Sequence, residues 1–177
     1  MGSVPTRMMP PATVPEVDLA SYSGRWYQIG FLPSWFQPAG SQCSTTADYK
    51  LLENGQLQII NRTTDLATGT ERSVTGVAFQ DPVYRQQGRL LVQFQPSESQ
   101  PVVAPFPQPY WIIQLADDYR YAVVSSPDRS MLWILAREPR MGQEQLRIIL
   151  TRLIEHQGFT HGDLKRLEWT LSANSSA

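Results

Sequence analysis

The sequence predicts an all-β fold: an eight-stranded antiparallel up-and-down β-barrel with one C-terminal α-helix packed outside it and a short final strand. Short strand-like segments separated by turn signals follow one another from residue 24 onward. A single later segment has the period of an amphipathic helix. Because 177 residues suffice for one domain with its own core, closure of these strands into one barrel is the simplest arrangement.

Eight segments are predicted as strands because each is rich in β-branched, aromatic or alternating apolar residues and ends at a turn signal. They are Trp26–Phe31, Ser44–Leu52, Gln56–Thr64, Ser73–Gln80, Arg89–Gln95, Tyr110–Ala116, Arg120–Ser125 and Met131–Arg137. Asn54-Gly55 is a hairpin signal, and Ser126 to Arg129 form a turn that contains a proline.

Two segments depart from the strand pattern. Residues 96–109 carry five prolines, a density that excludes a central strand. Residues 143–157 are predicted as a helix, because their apolar residues recur at the spacing of one helix face and Gly158 follows as a C-cap. A last strand is expected over Lys165–Leu171.

The predicted domain organisation is a single folded unit with short extensions. Residues 1–15 are Pro-rich and aperiodic and are expected to form a flexible N-terminal arm, whose first residues are typical of a sequence added for expression. Residues 16–172 form the domain, and 173–177 are expected to be a disordered tail.

Composition excludes several classes of function. The formal net charge is -1, with 15 Lys and Arg against 16 Asp and Glu, so there is no basic excess to bind nucleic acid. No apolar run approaches the ~18–20 residues of a membrane span, and no signal peptide is visible. Cys43 is the one cysteine, so no intrachain disulfide forms. Two His and one Cys give no metal-ligand spacing, and we expect neither metal nor cofactor.

Two motifs at opposite ends of the strand pattern resemble a known family. The first runs from Val17 through the G-x-W signature at Gly24 and Trp26. The second is the stretch from Ser126 to Pro139. In this order they resemble the lipocalins, specifically the bacterial lipocalin and apolipoprotein D group, over nearly all of the chain from Val17 to Trp169. The barrel is then expected to be a lipocalin calyx.

The resemblance implies that Gly24, Trp26, Tyr119 and Arg137 are structural residues of the barrel base. In an up-and-down barrel with an even number of strands, the first strand begins at the same rim where the last strand ends. Trp26 and Arg137 then meet there, with cation–π attraction of ~0.5–2 kcal/mol. The family pattern also places an Asp shortly before the Tyr. This chain has Ala116 at that place, and Asp117 is the alternative carrier of the role.

Strand alternation predicts which side chains face the interior. Turn parity on the sixth strand places Trp111, Ile113 and Leu115 inward. The predicted cavity lining is Met131, Trp133, Leu135, Leu57, Ile59, Leu90, Val92, Phe94, Trp111, Ile113, Ala122 and Val124. A packed core without a pocket is the alternative, but eight-stranded barrels of this family hold a ligand.

The resemblance implies a carrier that holds a fatty acid or lysophospholipid in the barrel, for storage or transport at the bacterial cell envelope. The expected location is the periplasmic face of the outer membrane. Family members there are often anchored through a lipidated N-terminal Cys, whereas this chain has no Cys before position 43. The protein is also expected to form a homodimer.

Two other function classes stay open at this point. A lipocalin-fold enzyme would act on a bound lipid through Cys43, but His156 and His161 are predicted on or after the outer helix, out of its reach, so we expect no enzyme. An interaction protein without a specific ligand is the other class. Apolar residues on two mouth loops, Trp35 with Phe36 and Phe106 with its neighbours, are expected either to contact a membrane or to fold inward as a lid.

Overall fold

The computed structural model describes residues 9–35, 37–40, 42–84 and 87–170. The strands are β1 Gly24–Phe31, β2 Cys43–Leu51, β3 Leu57–Asp65, β4 Glu71–Gln80, β5 Arg89–Gln95, β6 Gln108–Leu115, β7 Tyr121–Ser125, β8 Leu132–Ala136 and β9 Glu168–Trp169. The helices are α1 Leu19–Tyr22, α2 Gln143–His156 and α3 His161–Lys165.

Strands β1 to β8 form the predicted closed barrel. Each pairs antiparallel with the next in sequence, and β8 pairs back with β1. The short strand β9 adds to the outside of β1, with Gly30 opposite Trp169. The predicted fold class is confirmed. Because connections alternate between the two ends, one end receives the loops after β1, β3, β5 and β7 and is the mouth, and the other end is the base.

Helix α2 packs against the outer face of the barrel, as predicted. Ile149 and Leu153 are fully buried in an outer cluster with side chains of β7 and β8. Two hydrogen bonds hold the end of α2 against β6. Gln157 Nε2 donates to the carbonyl of Ile113 at 2.6 Å, and Gln114 Nε2 donates to Gln157 Oε1 at 2.8 Å.

The inward orientation predicted for Trp111 and Ile113 is corrected by the structure. Both side chains belong to the outer cluster under α2, whereas Ile112 and Leu115 pack with the barrel interior. The register of β6 with β7 shifts between Ile112 and Gln114. Such a bulge adds one residue and reverses the alternation beyond it, so counting back from Leu115 gives the wrong face for both residues.

The segment after α2 also differs from the prediction. The last strand expected over Lys165–Leu171 is present but shorter, as β9 Glu168–Trp169, and an unexpected short helix, α3, precedes it. Thr160 and Asp163 form a capping box at the start of α3, in which each side chain accepts from the backbone N–H of the other.

Half of the segment predicted as a flexible arm contacts the barrel. The Val14 N–H donates to the carbonyl of Ile112 at 3.0 Å, and Arg129 Nη2 donates to the carbonyl of Met9 at 2.7 Å. Residues 1–8 and the predicted tail 173–177 lie outside the described residues.

Candidate ligand-binding cavity

Trp26 and Arg137 lie together at the base. The Trp26 side chain is fully buried, and Arg137 Cζ lies 3.8 Å from its ring centroid. The indole Nε1 donates to the carbonyl of Tyr22 at 2.8 Å. Arg137 donates to the carbonyls of Ser21, Arg25 and Tyr119 at 2.7, 3.1 and 3.1 Å. A cation so placed links α1, β1 and the β6–β7 turn.

Gly24 and Tyr119 hold the backbone around that cation. Gly24 has φ of 103°, and a Cβ there would lie 3.2 Å from Arg137 Nη1, so glycine is favoured both by conformation and by space. The Tyr119 hydroxyl accepts from the Asp18 N–H at 2.9 Å. Within the described part of the chain, the hydrogen bonds of Arg137 all go to backbone carbonyls. Neither Ala116 nor the exposed Asp117 therefore supplies the carboxylate that the family pattern places here.

A cavity of about 220 Å³ opens above this base toward the mouth. The predicted side chains found in its wall are Ile59, Val92, Phe94, Val124, Met131, Trp133 and Leu135. Leu57, Leu90 and Ala122 also face inward but belong to the packed core with Trp26 and do not line the cavity. Each of these three stands at the base end of its strand, where the narrowing barrel is filled by side chains. Their predicted place in the lining is corrected accordingly.

Part of the wall is polar, and the apolar pattern did not reveal it. Thr45, Asn61, Thr63 and Ser73 line the upper cavity on β2, β3 and β4. Thr45, Asn61 and Thr63 continue the alternation that places Ala47 and Ile59 inward, whereas Ser73, opposite Arg62, departs from it. Two-residue spacing, followed past the last apolar residue of β2 and β3, would have found the first three but not Ser73.

Three buried tyrosines form the floor. The Tyr110 hydroxyl lies 2.7 Å from that of Tyr22 and 2.8 Å from that of Tyr49. Burial raises the pKa of Tyr49 to about 12 and raises the pKa values of Tyr22 and Tyr110 well above their ordinary range. The three groups are therefore neutral phenols over the physiological pH range.

The mouth loops carry exposed apolar side chains. Trp35 is 63% exposed, Val102 66% and Phe106 71%. Trp35 and Val102 also line the entrance of the cavity, whereas Phe106 does not. Phe36, predicted beside Trp35, lies outside the described residues. Arg72, an exposed cation on β4, stands in the upper wall of the cavity.

Cys43 begins β2 and lines the cavity near the mouth, half-buried. His156 ends α2 and His161 begins α3, both outside the barrel wall. Among the residues that the structure describes, His, Cys, Asp and Glu side chains form no cluster able to hold a metal ion. No helix among the described residues is both long and apolar enough to cross a membrane.

With this geometry in view, comparison with known proteins identifies the family. Residues 17–171 match the lipocalin-like domain family, and the chain belongs to it. Apolipoprotein D of Mus musculus is 32% identical over 93% of this chain and 82% of its own length. Temperature-induced lipocalin-1 of Arabidopsis thaliana is 30% identical, over 89% and 80%. The outer membrane lipoprotein Blc of Escherichia coli K12 is 29% identical, over 98% and 89%.

Solved structures share the fold. Insecticyanin from the tobacco hornworm Manduca sexta superposes with a TM-score of 0.69 at 17% identity, covering 94% of this chain and 85% of its own. A biogenic amine-binding protein superposes with a TM-score of 0.63 at 13% identity, covering 88% and 93%. At these identities the likeness concerns the barrel alone.

Proposed function

We propose that this protein is a carrier that holds one fatty acid or lysophospholipid, with its acyl tail in the barrel and its headgroup at the mouth. The observation that carries the proposal is a cavity with an aromatic and aliphatic wall, closed at the base by Trp26 and Arg137 and open at the other end. Burial of an alkyl chain against such a wall is favourable by about 0.8 kcal/mol per CH₂.

Size and charge support a single-chain amphiphile. A cavity of about 220 Å³ lies below the ~300–1,000 Å³ of common ligand pockets, which favours one acyl chain over two. The exposed guanidinium of Arg72 stands in the upper wall, where it attracts a carboxylate or phosphate held at the entrance. An ionised headgroup there keeps its contact with water while the tail is buried.

A role at the cell envelope belongs to the same proposal. The Blc relatives from Escherichia coli, Citrobacter freundii and Vibrio cholerae are named as outer membrane lipoproteins. Storage or transport of a lipid at the periplasmic face of the outer membrane is consistent with that similarity and with the proposed ligand.

Titration with C16 and C18 fatty acids and lysophospholipids tests the carrier function. Because Trp133 lies in the cavity wall, bound lipid is expected to quench or shift indole fluorescence saturably. The chain has five tryptophans, so Trp133→Phe serves as the comparison and should lose most of the change while keeping affinity. Absence of a saturable signal in both proteins, together with no retained lipid in native mass spectra, would contradict the proposal.

A further inference from the structure

The tyrosine hydroxyls at the cavity floor carry one more proton than they use among themselves. Tyr110 stands between Tyr22 and Tyr49, and two hydrogen bonds of 2.7 and 2.8 Å join the three oxygens. Each neutral hydroxyl carries one proton. Three protons therefore serve two bonds, and one O–H must donate elsewhere whichever way the chain of bonds is oriented.

The described part of the protein offers this surplus donor no acceptor. No other hydrogen bond of the three hydroxyls is formed there. The nearby cation Arg137 has only donors, and it gives them to backbone carbonyls. Loss of the proton by ionisation is opposed by burial, which raises all three pKa values. An unpaired buried donor is unfavourable, so an acceptor from outside the protein would stabilise it.

The surplus donor can reach the cavity. Tyr22 is fully buried, but Tyr49 and Tyr110 both line the cavity wall. When Tyr22 donates to Tyr110 and Tyr110 donates to Tyr49, the Tyr49 hydroxyl keeps the unused proton beside the cavity. Reversal of the last bond moves the proton to Tyr110, which is also in the wall.

A second polar group in the wall is independently unsatisfied. Gln28 lines the cavity on β1 and is 6% exposed. Its buried Nε2 has no hydrogen-bond partner among the described residues. An amide at this position, between the base and the mouth, is another group that only a ligand or water within the barrel can satisfy.

We propose that the natural ligand carries an uncharged oxygen, a hydroxyl or oxo group, at its buried end, and that this oxygen accepts a hydrogen bond from the Tyr49–Tyr110 pair. The inference rests on the proposed carrier function and narrows its ligand class to oxygenated lipids. A plain hydrocarbon end leaves the donor unpaired. A carboxylate end would have to give up its water at a floor that Arg137 does not reach, since that residue does not line the cavity.

Paired fatty acids of ten, twelve and fourteen carbons, each with and without a terminal hydroxyl, test the inference by calorimetry. The carboxylate of every acid stays at the mouth, so the pair differs only at the buried end. At the length that reaches the floor, we expect the hydroxylated acid to bind about threefold to tenfold more tightly, as one added hydrogen bond gives. If the floor offers no free hydroxyl donor, the more polar acid should bind more weakly at every length.

Two variants test whether the tyrosine hydroxyls cause the preference for the hydroxylated acid. The double change Tyr49→Phe with Tyr110→Phe removes both wall hydroxyls, and we expect the unsubstituted acid then to bind about tenfold more tightly than its hydroxylated partner. Tyr22→Phe is the matched control. It leaves two hydroxyls, one bond and one surplus proton in the wall, so the preference for the hydroxylated acid should persist. Circular dichroism and melting curves show whether each variant is folded.

The outcomes separate this inference from the carrier function. If the unsubstituted acids bind saturably and the hydroxyl improves binding at no length, the inference is overturned and the carrier function stands. If the folded double variant keeps the preference, the tyrosines are not the donors and the inference is again overturned. If neither series binds, the inference is overturned, and the titration with C16 and C18 lipids decides the carrier function separately. The comparison in the unmodified protein decides the matter even where the double variant does not fold.

Discussion

At the scale of single residues, the contacts of Arg137 stabilise the base of the barrel. Its guanidinium stacks on Trp26 at 3.8 Å and donates to carbonyls from three segments. Arg137→Ala removes the stack and leaves those carbonyls without their donor, so we expect the free energy of unfolding to fall by about 1–3 kcal/mol. Arg137 does not line the cavity, so lipid affinity should change little.

Urea denaturation and lipid titration of the same samples check this expectation. Arg137→Lys is the matched control, because an ammonium keeps the charge but lacks the planar fork that serves several carbonyls at once. We expect it to recover only part of the lost stability. Weaker lipid binding with an unchanged unfolding curve would assign Arg137 to the ligand site instead.

The residue scale also shows where sequence reasoning was sufficient. Trp133 and Leu135 follow from alternation along a strand without irregularity, and the structure places both in the cavity wall. Tyr49 and Tyr110 were missed, because their role depends on hydroxyls that meet from positions 61 residues apart. Residue type and spacing do not predict that these two hydroxyls lie within hydrogen-bond distance.

At the scale of elements, the tyrosine cluster joins α1, β2 and β6 through buried neutral hydroxyls. Its effect on stability depends on pH. The folded-state pKa of Tyr49 is raised to about 12, above the ~10 of an exposed tyrosine. Stabilisation of the protonated form is therefore fully present below pH ~10 and is lost as the pH rises toward 12.

An alkaline titration followed by tyrosinate absorbance and by circular dichroism measures this dependence. The chain has seven tyrosines, and we expect those of the cluster to ionise late, together with loss of the barrel signal. Tyr22→Phe should reduce the late part of the absorbance change. A single ionisation step near pH 10 in a protein that stays folded would contradict buried, neutral hydroxyls.

The elements themselves were largely predictable, and the exceptions have physical causes. Strand β5, Arg89–Gln95, has the predicted bounds. Trp111 and Ile113 of strand β6 were assigned the wrong face because a bulge between Ile112 and Gln114 has no proline or glycine to mark it. Helix α3 was missed although Thr160 and Asp163 form a capping box, since its few residues carry no apolar period.

At the scale of the whole molecule, barrel closure brings distant segments to one rim. Trp35 lies 67 residues before Val102 and 71 before Phe106 in the sequence. Their two loops both belong to the mouth, and these side chains are 63, 66 and 71% exposed. We expect this rim to contact membranes, so that a poorly soluble lipid passes directly between the bilayer and the cavity. Indole and phenyl groups settle at a membrane interface. With a net charge of -1, docking should depend only weakly on salt.

The double change Trp35→Ser with Phe106→Ser tests membrane docking against closure of the mouth by a lid. Docking predicts that transfer of a fluorescent fatty acid from vesicles slows several-fold while affinity for the free lipid is nearly kept, because the apolar insertion is lost and the deep cavity is not. A lid predicts faster dissociation and weaker affinity, with transfer by vesicle contact unchanged. Val83→Ser, a side chain 77% exposed on the loop at the opposite end, is the matched control and should have no effect in either case. If the double variant takes lipid from vesicles at the rate of the unmodified protein, these mouth residues do not dock the barrel to the membrane.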